Sequence, residues 1–101
     1  MTGTEQITAE RQRQIDKEGV SVLHDVRAYR MEELMWAAIC YAEHGDNPQY
    51  LDGAIPPDWP WANEWWKPSP DHSKNLVKAG ALIAADLDRR AHLEDHPHEQ
   101  I

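Results

Sequence analysis

Apolar residues fall into two strong helical patterns, one in the middle of the chain and one towards its C-terminus. The first has the i, i+3, i+4, i+7 spacing of a buried helical face. It consists of Met31, Leu34, Met35 and Ala38. Neighbouring residues widen this face until the segment LMWAAICYA is apolar nearly all round, as in a helix that packs on more than one side. The pattern predicts a central helix from about Tyr29, ended by His44 and by a Gly45 free to take a positive φ.

The second pattern predicts a final helix from Asn75 to Arg90. The apolar stripe that we expect to face the core comprises Leu76, Gly80, Ile83 and Leu87. Gly80 costs about 1 kcal/mol relative to alanine in a helix interior. We therefore expect another backbone or a tryptophan ring to approach it closely, where a side chain would not fit.

A shorter helix is predicted near the N-terminus, from Ala9 to Glu18. Thr8 is its expected N-cap, and Gly19 stands where a glycine commonly follows a helix. Its apolar content is thin, so it is expected to brace the other helices instead of forming a core of its own. Residues 1–6 are expected to fray.

The remaining segments lack a helical period. Residues 20–26 (VSVLHDV) are predicted to be an extended linker, and residues 92–101 a disordered tail. Residues 1–91 then form a single domain, with a long loop at residues 45–70. The predicted fold class is all-α, with two main helices, a shorter N-terminal helix and this loop packed on the core.

The loop is the most unusual stretch of the chain, because it carries four of the five tryptophans and six of the seven prolines. Such a long connection must pack through its own side chains or serve a function. Large aromatic side chains bury about 150 to 250 Å² each, so the loop is predicted to form the third wall of the core. Asp58 is expected to cap a short helical turn that places Trp61 and Trp65 on one face, with Trp66 pointing elsewhere.

A second interpretation assigns the loop's exit a binding role. If Trp65 and Trp66 stay partly exposed beside Lys67 and Lys74, they could anchor a partner protein or stack a nucleobase, because indoles next to cations are common at both kinds of site. Lys78 would then join the other lysines around a phosphate. The sequence alone does not separate buried indole rings from exposed ones.

Composition limits the other functions. The 101 residues carry a formal charge of −8 without an acidic block, so direct nucleic-acid binding is not expected. The charge fits a partner with a basic surface, or serves solubility alone. Cys40, the single cysteine, lies in an apolar run and predicts a reduced, buried thiol. No apolar segment approaches a bilayer-spanning length, so a soluble, cytoplasmic protein is expected.

No catalytic, cofactor or metal motif stands out. His24 next to Asp25, and Asp71 next to His72, lack the further ligands that a metal site needs. Carboxylates on two helices leave open a Mg²⁺-dependent all-α nucleotide pyrophosphohydrolase, although the ExxE and ExxD-like pairs of such enzymes are missing. These carboxylates are Glu32, Glu33, Asp86 and Asp88. The prediction is a non-enzymatic protein without a cofactor.

Three blocks of the chain resemble one family. ERQRQIDKEG, WPW followed by WWKP, and NLVKAGALIAADLDRR occur in the order found in small accessory proteins and C-terminal modules of tailed bacteriophages and prophages. The resemblance covers roughly residues 8–90. It implies a phage accessory protein made in the bacterial cytoplasm and implies no particular reaction.

The chain departs from that family after the first block. Relatives commonly continue with EGW and an HDD-type polar segment, whereas this chain reads EGVSVLHDVRAYRMEEL and keeps only His24 and Asp25 of it. A polar site there would have been replaced by a different surface, with Arg27, Tyr29 and Arg30 in place of acids.

The leading hypothesis is therefore a phage-encoded interaction protein that acts on a host protein, such as an inhibitor of CRISPR or another host-defence system. The residues assigned to its partner or ligand surface are Trp65, Trp66, Lys67, Lys74, Lys78, Arg27, Tyr29 and Arg30. A nucleotide or small-ligand module using the indoles and lysines of this set is the first alternative, and the pyrophosphohydrolase is the second. A homo-oligomer is compatible with each of them.

Overall fold

Four α-helices and one 3-10 turn make up the regular structure of residues 1–18 and 32–95, the part of the chain that the computed structural model describes. The helices are α1 (Gly3–Glu18), α2 (Glu33–His44), α3 (Pro48–Leu51) and α4 (His72–Asp95), and the 3-10 turn is Asn63–Trp65. Within these residues there is no β-strand. The all-α fold class is confirmed.

Helix α1 begins six residues before the predicted Ala9. Its first turn is closed by a capping box, in which Glu5 N donates to Thr2 Oγ1 (3.2 Å) and Thr2 N donates to Glu5 Oε1 (2.8 Å). The bond from the Thr2 amide lowers the pKa of Glu5. Thr8 lies inside the helix and donates its hydroxyl to Thr4 O. The prediction of Thr8 as the N-cap was wrong, because the box at Thr2 starts the helix earlier.

Helix α4 is the centre of the fold, since both α1 and α2 pack against it. The core also includes two indoles from the loop, and it consists of Leu34, Ala37, Ala38, Cys40, Tyr41, Trp59, Trp66, Ala79, Leu82 and Ala85. Tyr50, Ile55 and Trp61 of the loop pack against this cluster. The prediction that the loop forms part of the core is confirmed. On α1, Arg11 and Gln14 are buried.

The predicted core stripe of α4 is on the wrong face. Leu76, Ile83 and Leu87 are 49%, 50% and 62% exposed, respectively. The buried positions of the helix are Asn75, Ala79, Ala81, Leu82, Ala85, Asp86 and Arg89. Apart from Leu82, the buried apolar positions are alanines, whose small side chains let the neighbouring helices approach the α4 backbone closely.

Both ends of α4 extend beyond the prediction. The helix starts at His72, where Asp71 Oδ1 accepts a hydrogen bond from Ser73 N (3.1 Å), and it continues to Asp95. The assignment of residues 92–95 to a disordered tail was therefore wrong. Residues 96–101 lie outside the described part, as do Gly19 and the predicted linker at residues 20–26.

Two glycines allow close packing between elements. A Cβ on Gly80 would lie 2.6 Å from Ile7 Cδ1, so the predicted close approach is made by a side chain of α1. Gly45 has φ −63° and not the expected positive value. A Cβ there would lie 2.5 Å from Tyr41 O and 2.6 Å from Asn75 Nδ2. Gly45 is needed for its lack of a side chain, not for its backbone conformation.

Candidate interaction surface

Asn75, whose side chain is fully buried, holds both ends of the loop at residues 45–70, which we call the Trp/Pro loop. Its Nδ2 donates to Gly45 O (3.0 Å) at the loop's start and to Ser69 O (2.8 Å) near its end. Its Oδ1 accepts from Ser69 N (2.7 Å). One amide side chain thus satisfies three backbone groups and brings the two ends of the loop together.

Tyr41, on α2, holds the loop's exit. Its hydroxyl accepts a hydrogen bond from Lys67 N (3.2 Å) and donates to Trp65 O (3.5 Å). Its ring packs edge-on against Trp59, with centroids 5.6 Å apart, and at a tilt against Trp66, with centroids 4.8 Å apart. A single side chain therefore provides part of the aromatic core and positions the backbone on either side of Trp66.

The buried indoles also satisfy their polar groups. Trp59 Nε1 donates to Ala62 O and Trp66 Nε1 donates to Tyr50 O, each over 3.1 Å. These bonds fix the path of the loop between α3 and the 3-10 turn. The predicted helical turn capped by Asp58 is absent, because residues 57–58 form a tight turn in which Trp59 N donates to Pro56 O. Trp61 and Trp65 consequently do not share a helical face.

Two adjacent tryptophans have opposite environments. Trp65 is 56% exposed at the end of the 3-10 turn, whereas Trp66 is 6% exposed and belongs to the core. Both rings were predicted to lie on a partner or ligand surface. Only Trp65 has the exposure that such a surface requires. Trp66 was assigned wrongly, because its ring packs on Tyr41 and Trp59.

Lys67 lies over the exposed indole, and Lys78 is bonded to the backbone next to it. Lys67 Nζ lies 5.5 Å from the centroid of the Trp65 ring, within cation–π range. Lys78 Nζ donates to Lys67 O (2.8 Å) and lies 5.3 Å from the Tyr41 ring centroid. Lys74 is exposed one helical turn before Lys78 on α4. We call Trp65, Lys67, Lys74 and Lys78 the Trp65 patch.

The other residues assigned to this surface are not placed. Arg27, Tyr29 and Arg30 lie outside the described residues, together with His24 and Asp25. Of the predicted surface, the structure brings Trp65, Lys67 and Lys78 together, and Lys74 lies one helical turn from Lys78.

An open cleft of about 380 Å³, which no sequence pattern indicated, lies beside the loop. Its lining includes Tyr50, Ile55, Asn63, Glu64, Trp66 and Pro68. The residues come from α3, the 3-10 turn and irregular backbone, so no period or motif relates them in the sequence. The cleft is open and has a mixed polar and apolar lining, to which Tyr50, Asn63 and Glu64 bring polar side-chain groups.

Asp86 is the centre of a partly buried ionic network towards the other end of α4, in which Asp86 and Arg89 are buried and Arg90 and Glu32 are exposed. Its carboxylate accepts from Arg89 Nε (3.0 Å) and Arg90 Nε (2.8 Å), and Arg90 also donates to Glu32 Oε1 (3.0 Å). Burial alone would raise the pKa of Asp86, but the bonds from Arg90 and Arg89 outweigh it and lower the pKa. The bonds from Arg90 to Asp86 and to Glu32 raise the pKa of Arg90.

This network bears on the pyrophosphohydrolase alternative. Asp86 and Glu32 are engaged by arginine, and Asp88 lies 3.8 Å from Arg11 Nε. Within residues 1–18 and 32–95, no group of three or more His, Cys, Asp or Glu side chains could hold a metal ion. Cys40 is buried as predicted, and desolvation, with Asp58 and Glu43 nearby, raises its thiol pKa to about 11. It is therefore a poor nucleophile at neutral pH.

Comparison of the chain with protein-family models, curated proteins and solved structures gives no significant match. Among the described helices, none is long and apolar enough to cross a lipid bilayer. The fold and the surface define a small all-α domain that displays one loop tryptophan, with Lys67 over its ring, on a tightly packed aromatic core.

Proposed function

We propose that this protein is a phage-encoded, non-enzymatic interaction protein of the bacterial cytoplasm, which binds a host protein through the Trp65 patch. The observation that carries the proposal is the exposure of Trp65 on a backbone held by Tyr41. An indole packed against the core would need no explanation beyond stability, whereas Trp65 presents more than half of its surface to solvent.

The way Trp65 is held favours binding. The Tyr41 hydroxyl donates to Trp65 O and accepts from Lys67 N, and these two bonds fix the backbone before any partner arrives. A tryptophan that is already positioned loses little conformational freedom on association, and tryptophan is enriched among the residues that dominate interface energies. The patch therefore has the properties of an interface anchor.

The charges specify the partner's surface. The protein carries −8 overall, which favours a partner with a basic surface, but Lys67 places a positive charge over the Trp65 ring, and the Lys78 ammonium is bonded to Lys67 O. We expect an apolar pocket for the indole, with an acidic group beside it, inside a generally basic face. Such complementarity would accelerate association and fix the orientation of the complex.

A role against a host-defence system, of which inhibition of CRISPR is one form, is the most specific version of this proposal. It is supported by the small size of the chain and by the WPW, WWKP and NLVKAGALI blocks shared with phage accessory proteins. The resemblance does not single out the defence system.

The test compares two exposed tryptophans. Tagged wild-type protein, Trp65→Ala and Trp36→Ala would be expressed in a bacterial host, crosslinked in the cell, and the captured proteins quantified. Trp36 is 40% exposed on α2 and serves as the matched control. The proposal predicts a host protein captured by wild type and Trp36→Ala but lost with Trp65→Ala. Equal capture by the wild type and both variants would refute a role for the patch.

A nucleotide-binding module is the second candidate. It is favoured by one observation, the stacking of Lys67 on Trp65 with the Lys78 ammonium bonded to the adjacent carbonyl, which combines a base platform with cations. Titration with nucleotides and cyclic nucleotides would quench tryptophan fluorescence in wild type and in Trp36→Phe, and not in Trp65→Phe. Absence of quenching in wild type would eliminate this candidate.

A further inference from the structure

We propose that the outer face of α4 is a self-association surface, on which two copies of the chain pair antiparallel. This inference is independent of the Trp65 patch. It rests on Leu76, Ile83 and Leu87, which are 49 to 62% exposed in a row along one helix. Large aliphatic side chains exposed singly are ordinary, but three in line form an apolar stripe that is about half exposed in the described part of the chain.

The stripe is continuous because α1 fills its gap. Gly80 lies between Leu76 and Ile83 on the same side of α4, and the side chain of Ile7 covers it, close enough that a Cβ on Gly80 would clash. The exposed surface thus runs from Leu76 over Ile7 to Ile83 and Leu87. Ile7 is itself half-buried, so part of it remains available for contact.

The spacing of the stripe makes it self-complementary. Its four positions are separated by four, three and four residues, which reads the same in both directions. In an antiparallel pair centred between Ala81 and Leu82, Leu76 meets the partner's Leu87. Ile83 meets the position of the partner's Gly80, which is covered by the partner's Ile7. A twofold interface requires each patch to match itself, and this spacing meets that requirement.

The charges along α4 agree with this pairing. No charged residue lies among the stripe positions from Leu76 to Leu87, since Lys74, Lys78, Asp86 and Asp88 project from other sides of the helix. The nearest charge on this side is Arg90, whose guanidinium is occupied by Asp86 and Glu32. In the antiparallel pair it would lie opposite the partner's Ser73, so like charges do not meet.

The dimer leaves the Trp65 patch free. Lys78 is about 200° around the helix from Leu76. The two patch lysines on α4, Lys74 and Lys78, therefore lie on the side opposite to the stripe. The stripe is about 16 Å long and one helix face wide. We expect it to bury less than the area of a standard interface, which is about 800 Å² per partner. We therefore expect a weak dimer, with a dissociation constant in the micromolar range.

Sedimentation equilibrium from low micromolar to near-millimolar concentration tests the proposal. Wild type should shift from monomer to dimer mass, and Ile83→Glu should weaken dimerisation by about tenfold or more. Leu51→Glu, at an exposed leucine on α3, is the matched control and should dimerise like wild type. Because Ile83 is half exposed, the helix content should be unchanged; Leu87→Lys provides a second variant. A monomer at every concentration, or dimerisation that Ile83→Glu and Leu87→Lys leave intact, would overturn the proposal.

The orientation has its own test. Leu76→Lys and Leu87→Glu should each weaken self-association, but an equimolar mixture should form a heterodimer. An antiparallel pair places the introduced lysine of one chain against the introduced glutamate of the other, and it keeps one contact between Leu76 and Leu87. A parallel pair offers no such match. Failure of the mixture to associate more tightly than either variant alone would rule out the antiparallel arrangement.

Discussion

Asn75 Nδ2 donates a hydrogen bond to Gly45 O over 3.0 Å, although the two residues are 30 positions apart in the chain. The bond lies in the interior, and the same nitrogen also donates to Ser69 O. The residue at the start of the loop and the residue at its end are thus fixed to one point in the first turn of α4. The loop's geometry depends on this buried amide as much as on its tryptophans.

Replacing Asn75 should consequently destabilise the whole domain. Asn75→Ala leaves Gly45 O without its partner in a buried place, and Ser69 O and Ser69 N without theirs in a partly buried one; an unsatisfied buried group costs about 1 to 3 kcal/mol. We expect the free energy of unfolding, measured by urea denaturation, to fall by about 3 kcal/mol. Asn63→Ala, at an exposed loop position, should change it by less than about 0.5 kcal/mol. Similar losses for both variants would contradict this account of Asn75.

Removing the Tyr41 hydroxyl should loosen the loop's exit while leaving the core packed. Tyr41→Phe keeps the ring contacts with Trp59 and Trp66 but removes the acceptor for Lys67 N. We expect a loss of about 1 to 2 kcal/mol in stability and faster hydrogen exchange at the Lys67 amide. Tyr50→Phe is the matched control and should leave exchange at Lys67 unchanged. Slow exchange in Tyr41→Phe would show that other contacts hold this segment.

The two close-packed glycines should respond differently to alanine. In Gly45→Ala the new Cβ meets the backbone oxygen of Tyr41 and the buried side chain of Asn75, neither of which can move freely. We expect destabilisation by about 2 kcal/mol or more, as for an overpacked site.

In Gly80→Ala the obstacle is the end of the flexible Ile7 side chain, and alanine raises helix propensity by about 1 kcal/mol. The two effects should nearly cancel. In an Ile7→Ala background, where the obstacle is gone, Gly80→Ala should stabilise the protein by about 0.5 to 1 kcal/mol. Equal effects of Gly80→Ala in both backgrounds, measured by thermal or urea unfolding, would mean that Ile7 does not restrict this position.

Asp86 should make stability depend on acid pH. Because its folded pKa is lowered, its contribution is present above the ordinary carboxyl pKa of about 4 and is lost as the pH falls through the lowered folded value. Asp86→Asn should cost about 3 kcal/mol at neutral pH, since it leaves buried Arg89 without its carboxylate. The difference between wild type and variant should shrink below about pH 4.

Urea unfolding at a series of pH values measures this difference. Asp52→Asn, at an exposed position after α3, should change the free energy of unfolding by less than about 0.5 kcal/mol. A difference between wild type and Asp86→Asn that stays constant from neutral to acid pH would contradict the assignment.

Helices α1, α2 and α4 and their order were predicted from the sequence, α2 and α4 from their periodicity, but α3 and the buried face of α4 were not. The pattern of Leu76, Ile83 and Leu87 is as regular as that of a core stripe, and only the tertiary contacts show that Ala79, Leu82 and Ala85 face inward. Hydrophobicity favours the large residues for burial, whereas the buried apolar residues of α4 other than Leu82 are alanines, which allow close helix packing. Asn75, Asp86 and Arg89 are invisible to such a pattern, because their burial depends on partners brought together by the fold.

Another difference between prediction and structure, the start of α1, could have been predicted from the sequence. The spacing of Thr2 and Glu5 is that of a capping box and marks the true start of α1. The loop offers no comparable signal, because nothing in the letters WW distinguishes the buried Trp66 from the exposed Trp65. Their different exposures depend on Tyr41, which fixes the backbone on both sides of Trp66. The Trp66 ring then points into the core and the Trp65 ring points out of it.

The anchoring of the loop at Asn75 also determines how the domain should melt. Because the loop's two ends, its indoles and α2 share contacts with the same helix, the loop has no stable state apart from the folded helices, and ordering it is part of one cooperative transition. Indole emission from Trp59 and Trp66 should therefore follow the same unfolding curve as helical circular dichroism, which makes the aromatic loop an intrinsic reporter of global folding.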